Sequence, residues 1–473
     1  MTATPSSRSE ASGRYFADRL ITRLALHNRP RATARVAKFL LRRMSACGNA
    51  PAASERPKRV LILLRRGFTD DILSALSNVP SLEIVALRRR SLKAIAEAFL
   101  PPEIDDNNYV ASSPSAKAAM GAYREFLVQF WRAFDPDRRI NAVLTGNFGY
   151  YAEQELAAAL ESIGVPFVAL HKENSWSPGN RSFWETVYRE RRGPFMGRRI
   201  LVYSPIERDL QIRSGIVADG RIEVVGMPRL DVVHHWRESN AGLTTQGTVL
   251  FASFLPEVGM PVLGKATVAN RRADELSDDG QVRTKNLATL CKSAHLAIMR
   301  LAVENPGIRV LIKTKGRTRD KVSLPGLLGL KHESELPVNV RVVHGGPPLP
   351  LIAEASVVCG LQSTLLLEAL AAGRPVIVPW YAEALDPQVR RYLFDLGSAV
   401  TTASTAEEFV SLLRLRALAP ARVSAELPLG AAKFLREWLG NDDGKAGKRA
   451  ASAILRTIDH SLNHLPASSP HGV

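Results

Sequence analysis

The sequence predicts an α/β protein built from two facing, doubly wound domains with a cleft between them. Continuous apolar runs of about four to six residues alternate with amphipathic helices of ten to fifteen residues, a pattern typical of parallel strands covered on both faces. One such series runs from 59–64 to 222–225, and a second begins at 248–253. A length of 473 residues is sufficient for two or three domains, each with its own core.

The composition excludes several classes of protein. With 45% hydrophobic and 23% charged residues the chain is neither disordered nor fibrous. The three cysteines, Cys47, Cys291 and Cys359, are few and far apart. They exclude a disulfide framework and a Cys-based zinc cluster, and they indicate a reducing compartment, so we expect a cytoplasmic protein.

The net charge of +17 is concentrated near the N-terminus, because residues 1–56 hold eleven Lys and Arg against three acidic residues. In segment 14–27, Phe16, Leu20 and Leu24 share a helical face with arginines beside them. Two interpretations remain open: a helix lying on an anionic membrane surface, at the inner face of the cell membrane, or helices packed on the protein's own body. Nucleic acid is disfavoured, because neither an aromatic-rich RNA-binding signature nor a Cys/His finger accompanies the charge.

The apolar runs define the strands and the periodic segments define the helices of the first domain. Its predicted strands are 59–64, 82–87, 141–145, 167–170, 200–203 and 222–225, and its helices are 69–77, 114–134 and 150–163. The second domain has predicted strands at 248–253, 309–313, 340–344, 357–359, 376–378 and 399–401, and helices at 286–304, 363–372, 405–416, 430–439 and 446–461.

These elements predict five regions of the chain. They are a basic helical extension with a linker at 1–56, a first α/β domain at 57–240, a second at 247–440, a closing helix at 441–463 and a disordered tail at 464–473. The segment around 226–248 is polar and contains Pro228, Gly242 and Gly247, and the domains are predicted to join near 235–247. A long loop is predicted at 255–283, and loops of that length are usually functional or mobile.

Several catalytic motifs are absent from the sequence. It contains no GxxxxGK[ST] loop, no GxGxxG after a strand, no HExxH and no GxSxG. A P-loop nucleotidase, a dehydrogenase, a zinc protease and an α/β hydrolase are therefore disfavoured, and neither a metal nor a cofactor is expected. In sheets of the predicted kind, ligands bind outside the carboxyl ends of the strands, so the residues that follow each strand are the candidates.

The strongest candidate site lies within 351–380. A strand reaches Gly360, where a missing Cβ allows a ligand to approach, and Ser363 and Thr364 then begin an apolar helix. Free N–H groups at a helix start, together with two hydroxyls, favour phosphate. The alternative is that Ser363 only caps the helix. Glu368 lies one turn further on the same face and needs a partner, which a sugar hydroxyl or an ordinary salt bridge could supply.

Two neighbouring strand ends point to the same crevice. Lys313 follows a strand and is suited to phosphate, although a solvated surface lysine is the alternative. His344 and Gly345 follow the next strand, where the imidazole could donate to a phosphate or sugar oxygen. Together with the helix start they predict a donor site for a phosphorylated ligand.

Polar residues also follow two strands of the first domain. His171, Lys172 and Glu173 come directly after 167–170, and Asn147 follows 141–145. Glu173 or His171 could be the general base for an acceptor hydroxyl, with Glu153 in reserve, while Asn147 and Lys172 are predicted on the acceptor side. Each of them could instead be an ordinary surface residue.

The run from Ala355 to Pro379 resembles the donor-side signature of GT-B glycosyltransferases, the family with two facing Rossmann-like domains. The closest resemblance is to bacterial surface-carbohydrate (capsule and lipopolysaccharide) biosynthesis proteins related to CDP-glycerol glycerophosphotransferases and Kdo transferases. The segments FVALHKEN, VVGMPRLD and FLREWLGNDDGKAGKRAASAI agree with it, and it spans 58–460. The related glycerophosphotransferases show Lys-x-His-Pro where this chain reads Lys313-Thr314-Lys315-Gly316, which argues against a CDP-glycerol donor.

The resemblance implies a metal-independent transfer from a nucleotide-activated sugar to a saccharide or lipid-linked acceptor. It implies donor contacts from Gly360, Ser363, Thr364 and Glu368, supported by Lys313 and His344. Two other classes remain open. One is an isomerase similar to nucleotide-sugar 2-epimerases, and the other is a catalytically degenerate scaffold in a membrane-associated assembly complex.

Overall fold

The computed structural model describes residues 5–44, 57–65, 67, 69–77, 79–80, 82–106, 108–110, 113–172, 177–261 and 286–463, with side chains from residue 16 onward. Glu173, the tail at 464–473 and most of the predicted linker and of the loop at 255–283 lie outside the described residues. The predictions made for them are untested.

The first domain contains a seven-stranded sheet of order β1-β3-β2-β4-β5-β6-β7. Six strands are parallel, and β1 pairs antiparallel with β3 at one edge. The strands are β1 (Arg42–Met44), β2 (Lys58–Leu64), β3 (Leu82–Arg88), β4 (Ile140–Thr145), β5 (Phe167–His171), β6 (Arg199–Val202) and β7 (Ile222–Val224). Strands β2 and β5 at the centre of the sheet are largely buried on both faces, which explains why they are continuous apolar runs rather than alternating ones.

Helices cover both faces of this sheet. They are α1 (Pro5–Leu26), α2 (Pro30–Phe39), α3 (Thr69–Leu76), α4 (Arg89–Ala96), α5 (Pro114–Phe134), α6 (Tyr151–Ser162), α7 (Pro178–Arg191) and α8 (Pro205–Arg213). Local signals place α5: the Ser113 hydroxyl accepts the N–H of Ala116 at 3.1 Å, and Pro114 occupies the first helical position. Its apolar stripe, which includes Tyr123 and Phe130, is buried.

The N-terminal helices pack on the protein's own body through their buried faces, as the second of the two interpretations predicts, and membrane contact by their outer faces stays a prediction. Ile21 and Ala25 of α1 and Ala34 and Ala37 of α2 are buried in the core of the first domain. The carboxylate of Asp18 accepts the Ser91 hydroxyl at 3.0 Å. No helix in the described ranges has the length and hydropathy needed to cross a bilayer.

The second domain contains a six-stranded parallel sheet of order β11-β10-β9-β12-β13-β14. Its strands are β9 (Thr248–Ala252), β10 (Arg309–Thr314), β11 (Val340–His344), β12 (Val357–Gly360), β13 (Val376–Pro379) and β14 (Thr401–Ala403). Its helices are α10 (Ala288–Glu304), α11 (Thr318–Leu327), α12 (Leu349–Glu354), α13 (Thr364–Ala371), α14 (Pro387–Arg390), α15 (Ala406–Leu418) and α16 (Leu429–Leu439). Both predicted doubly wound sheets are therefore present, and the predicted α/β fold class is confirmed.

Two sequence predictions in these regions are wrong in part. The strand predicted at 399–401 is β14 at Thr401–Ala403, because 397–399 forms a 3-10 turn that starts at Gly397 with φ of 49°. The polar segment at 226–248 contains a helix, α9 (Asp231–Ser239), and a short strand, β8 (Thr244–Thr245), which pairs with β15 (Ala421–Arg422). The N-cap of α9 is Leu230, which provides no side-chain cap, so the usual start signal is missing.

The closing helix, α17 (Ala446–Asn463), packs against the first domain. The start of α17 is held by Asp231 of α9, because the Asp231 carboxylate accepts the N–H groups of Ala446 and Gly447 at 3.1 and 2.7 Å.

The segment that returns to the first domain passes beside the segment that leaves it, and Gly226 and Gly440 pack against each other where the two segments meet. Both glycines have positive φ, and a Cβ on Gly440 would lie 2.2 Å from the Tyr203 carbonyl oxygen. Only glycine fits this crossing.

Candidate active site between the two domains

The centre of the second sheet presents three strand ends side by side. Strand β9 lies between β10 and β12, so Ser253, Lys313 and Gly360 follow or end neighbouring parallel strands. The carboxyl ends of parallel strands meet at one edge of a sheet. The sequence therefore brings its donor-side candidates to a single place.

The turn from β12 to α13 is tightly held. Gly360 has φ of 142°, and a Cβ there would lie 2.6 Å from the Ala252 carbonyl oxygen. The absence of a side chain at Gly360 thus allows β12 to approach β9. The predicted contact between Gly360 and a ligand stays a prediction. Gln362 adopts φ of 51°, held by its side chain, which donates to the Tyr392 carbonyl at 2.9 Å and accepts the Phe394 N–H at 2.7 Å. Strained backbone of this kind persists where the surroundings enforce it.

The two hydroxyls at the start of α13 differ in their contacts. Ser363 is the N-cap, and its hydroxyl accepts the Leu365 N–H at 3.3 Å. In this structure Ser363 therefore caps the helix, as the alternative interpretation predicts. Thr364 is half-buried at the first helical position. The positive end of the helix dipole and the half-buried hydroxyls remain a setting suited to phosphate.

Glu368 lies one turn into α13 and is 9% exposed. Burial is the main cause that raises the pKa of its carboxyl to about 7, and Asp71 raises it further, whereas Arg229, Lys172 and Lys313 lower it. These five residues come from both domains, and we call them the interdomain charge cluster. A buried carboxyl group with its pKa raised to about 7, on which three cations act, is a typical functional-site feature.

The first domain contributes the other acidic residue of the cluster. Asp71, in the first turn of α3, is buried, with its Oδ2 atom 3.7 Å from Arg229 Nη1 and 3.8 Å from Lys172 Nζ. Lys172 also donates to the Gly67 carbonyl. Burial would lower the pKa of Arg229, but the negative charges of Asp71 and Glu368 raise it overall. The Lys172 side chain therefore contacts residues of its own domain, and its charge also acts on Glu368 of the second domain; its predicted place on the acceptor side stays a prediction.

Lys313 is 8% exposed, and burial lowers the pKa of its ammonium, with Glu368 acting in the opposite direction. Its Nζ donates to the Gly345 carbonyl at 2.7 Å. Gly345 has φ of 73° and packs closely against Gly316, where a Cβ would lie 2.8 Å from the Gly345 nitrogen. The glycine turn after β11 thus orients the lysine through a carbonyl oxygen.

His344 has a partner for each ring nitrogen. Nδ1 lies 2.9 Å from the Thr314 hydroxyl, and Nε2 lies 3.0 Å from the carboxylate of Glu333. A donor molecule would have to replace one of these contacts. The predicted role of His344 in phosphate binding stays a prediction.

The first-domain candidates for a catalytic base lie within that domain. His171 is 1% exposed, with its ring 4.9 Å from the Phe148 ring and Nε2 3.3 Å from the Glu207 carboxylate. Glu153 is also 1% exposed and pairs with Arg89 at 2.9 Å, and burial raises the pKa of its carboxyl to about 7. Neither side chain is open to a substrate in this conformation.

Asn147 and Glu173 complete the set of predicted site residues. The Asn147 carboxamide oxygen accepts the Gly149 N–H at 2.7 Å, a local turn contact within the first domain. Glu173 lies outside the described residues. The acceptor-side predictions are therefore untested.

Sequence reasoning missed three residues of this region: Asp71, Arg229 and Ser253. Asp71 lies at the start of the helix that follows β2, and Ser253 directly follows β9. The rule that ligand-binding residues follow the strands, which singled out Lys313, therefore applies to both. Arg229 stands within the VVGMPRLD segment, which the resemblance singled out without a role for this residue.

Ser253 is oriented by a buried histidine. His295 Nδ1 donates to the Cys291 carbonyl at 2.7 Å, and burial lowers the pKa of its ring to about 4, so the ring is neutral. Its Nε2 must then accept the Ser253 hydroxyl proton, at 2.9 Å. The oxygen of Ser253 is left as a hydrogen-bond acceptor, which suits a sugar or ribose hydroxyl.

No family model and no curated protein matches this chain. Solved structures similar to it include a UDP-GlcNAc 2-epimerase from Neisseria meningitidis, bound to UDP-GlcNAc, with 13% identity and a TM-score of 0.46 over 84% of this chain and 100% of that one. The wall teichoic acid polymerase TagF shows 10% identity and a TM-score of 0.46 over 97% of this chain and 100% of that one. Likeness at this level supports no statement about activity, and the fold assignment rests on the strand orders of the two sheets.

Proposed function

We propose that the protein is a glycosyltransferase that moves a sugar from a nucleotide-activated donor to a saccharide or lipid-linked acceptor. The observation that carries the proposal is the interdomain charge cluster. Three cations and a carboxyl group with a pKa of about 7 converge from both domains, next to the start of a helix that follows a central strand. This is where a doubly wound sheet binds its ligands.

The cluster matches the chemistry of a nucleoside diphosphate leaving group. Sugar transfer breaks the bond between the anomeric carbon and a phosphate oxygen, and negative charge develops on the departing phosphate. Lys313, Arg229 and the α13 N-terminus are positioned to stabilise that charge without a metal ion. Glu368 and Ser253 supply acceptors for hydroxyls of the sugar or ribose.

The acceptor hydroxyl must lose a proton as it attacks the anomeric carbon. Glu173 follows Lys172 in the sequence, and we retain it as the proposed base. Asp71 is already paired with Arg229 and Lys172, so in this proposal it orients those cations rather than accepting the proton.

A second candidate is an isomerase similar to the nucleotide-sugar 2-epimerases. Such an enzyme needs more than one acid/base group at the sugar. The specific observation in its favour is that two carboxyl groups, one from each domain, lie in the same cluster: the charge of Asp71 raises the pKa of Glu368.

Thermal unfolding with CMP, CDP, UDP, GDP and ADP tests donor binding. A ligand at a hundred times its Kd stabilises the folded state by about 2.7 kcal/mol. We expect a shift with one nucleotide, lost in Lys313→Met and kept in Lys331→Met, which removes an exposed lysine from the same domain. No shift with any nucleotide would overturn the proposal and favour the scaffold alternative.

Product analysis then separates the two enzyme classes. Incubation with the sugar form of the bound nucleotide should release nucleotide only when an acceptor is present. Conversion of the nucleotide sugar to its 2-epimer in the absence of an acceptor would assign the protein to the isomerases.

A further inference from the structure

The outward faces of α1 and α2 combine cations with exposed large apolar side chains. Phe16, Arg19, Arg23 and Leu26 recur at three- and four-residue spacing, on the side of α1 opposite the buried Ile21. Phe16 is 69% exposed and Leu26 is 63% exposed. Buried positions hold the helix on the domain, and this outer face is exposed to solvent.

Helix α2, which packs beside α1, and the strand that follows also expose cations and an aromatic side chain. Arg31, Arg35, Lys38 and Phe39 are exposed along α2, and Phe39 is 89% exposed. We call the exposed residues of this region the N-terminal basic face; they are Phe16, Arg19, Arg23, Leu26, Arg29, Arg31, Arg35, Lys38, Phe39, Arg42 and Arg43.

The charge of this face is almost all of one sign. Residues 16–44 hold eight Lys and Arg, and their one acidic residue, Asp18, is 7% exposed and accepts the Ser91 hydroxyl. Arg43 forms an ion pair with Glu83 at 3.5 Å, whereas the exposed cations of α2 form none with the residues that the structure describes. The face therefore presents a positive field to a partner.

We propose that the N-terminal basic face binds an anionic lipid bilayer, with α1 and α2 lying in the plane of the headgroups. Helices that bind in this way carry Arg and Lys beside exposed Phe and Leu, since the cations contact lipid phosphates while the apolar side chains enter the acyl boundary. The charge of the face is complementary to such a surface. In a symmetric dimer through the same face, the cations of one copy would lie against those of the other and repel them. A nucleic-acid backbone would neutralise the cations but would offer no apolar surface to Leu26.

Vesicle flotation with the full chain tests the charge contribution. We expect binding to phosphatidylcholine vesicles with 30% phosphatidylglycerol at 0.1 M salt, weakened at 0.5 M salt and absent with phosphatidylcholine alone. Arg31→Gln/Arg35→Gln/Lys38→Gln should bind about 100-fold more weakly, at about fivefold for each charge. Arg414→Gln/Arg416→Gln/Arg422→Gln, which removes three exposed arginines from the second domain, should bind as the unaltered chain does.

A second pair of variants tests the apolar contribution. Phe16→Ser/Phe39→Ser should weaken vesicle binding by about tenfold or more, from the lost burial of two aromatic rings, and should leave retention on heparin unchanged. Leu415→Ser/Leu418→Ser, on the exposed side of α15, is the matched control and should bind normally. All variants should keep the circular dichroism spectrum of the unaltered chain.

Several outcomes would overturn the proposal. They are no binding of the unaltered chain to anionic vesicles, equal loss in the control variants, or tight binding of an oligonucleotide that depends on the same cations while vesicles are ignored. A dimer in sedimentation that dissociates in the α2 variant would assign the face to self-association instead.

Discussion

Replacement of Glu368 by Gln is expected to make the protein more stable at alkaline pH. Burial raises the pKa of this carboxyl from 4.5 to about 7, so between these values the folded state holds a proton that the unfolded chain has lost. The stability of the unaltered protein therefore falls as the pH rises from about 4.5 to 7 and is constant above that. Glutamine keeps the shape and is neutral at every pH.

The size of the effect follows from the pKa. A rise from 4.5 to about 7 corresponds to about 3 kcal/mol of unfolding free energy, at about 1.4 kcal/mol for each tenfold change in the proton equilibrium. Melting temperatures of both proteins should be compared at pH 5 and pH 8. The difference in Tm between E368Q and the unaltered protein should be several degrees larger at pH 8 than at pH 5, in favour of E368Q. About 1 kcal/mol shifts the Tm of a domain of this size by about 2–4 °C.

Glu383→Gln provides a control of the opposite sign. Burial alone would raise the pKa of Glu383, but bonds from the Thr289 and Leu290 N–H groups, both 2.8 Å from its carboxylate, lower it overall. Its charged form therefore stabilises the fold at neutral pH, and the loss in E383Q should shrink as the pH falls below about 4.5. A difference between E368Q and the unaltered protein that stays constant from pH 5 to pH 8 would refute the reasoning for Glu368.

Three further predictions concern Glu368 and the domain crossing. Arg229→Met removes a cation that lowers the pKa of Glu368, so the fall in stability should extend to higher pH in the same melts; an unchanged pH profile would contradict the contact. Gly440→Ala should destabilise the fold by more than about 1 kcal/mol, seen as a lower Tm and earlier proteolysis of α17, because its Cβ would overlap the Tyr203 carbonyl. Asp231→Ala should lose about 1–2 kcal/mol in urea unfolding, in the range of a lost N-cap, while equal stability would exclude an anchoring role for this carboxylate.

The strands were predictable because parallel strands buried on both faces are continuous apolar runs. Strand β11 was predicted at Val340–His344 and found there, and helix α5 was found at its predicted bounds. The helix at Pro178–Arg191 was missed although its start signal is present, since Ser177 accepts the Asn180 N–H and Pro178 follows. Helix α9 lacks such a cap and lies among Gly and Pro residues, so local rules favoured a linker.

Three of the five residues in the interdomain charge cluster, Lys172, Lys313 and Glu368, were singled out from the sequence. Lys313 is recognisable because it lies at the end of an apolar strand, and Glu368 because it is the charged residue of an apolar helix. Their partners Asp71 and Arg229 come from elsewhere in the chain, and the cluster exists only once the two sheets face each other. Local patterns carry no information about that orientation. The buried pairing of Glu153 with Arg89 likewise depends on contacts across 64 residues of chain.

The glycine crossing has a mechanical consequence for the cleft. The chain leaves the first domain and re-enters it at one point, where the Met227 N–H bonds the Leu439 carbonyl and His234 donates to Asn441. Two connections fastened side by side resist sliding, so relative movement of the domains reduces to rotation about that point. On another side, Asn180 donates to the Gly259 and Tyr392 carbonyls of the second domain at 2.9 and 3.4 Å. The molecule is thus hinged in one place and fastened in another, and opening the cleft includes the release of these bonds and of the bond from the Gly179 N–H to the Arg391 carbonyl.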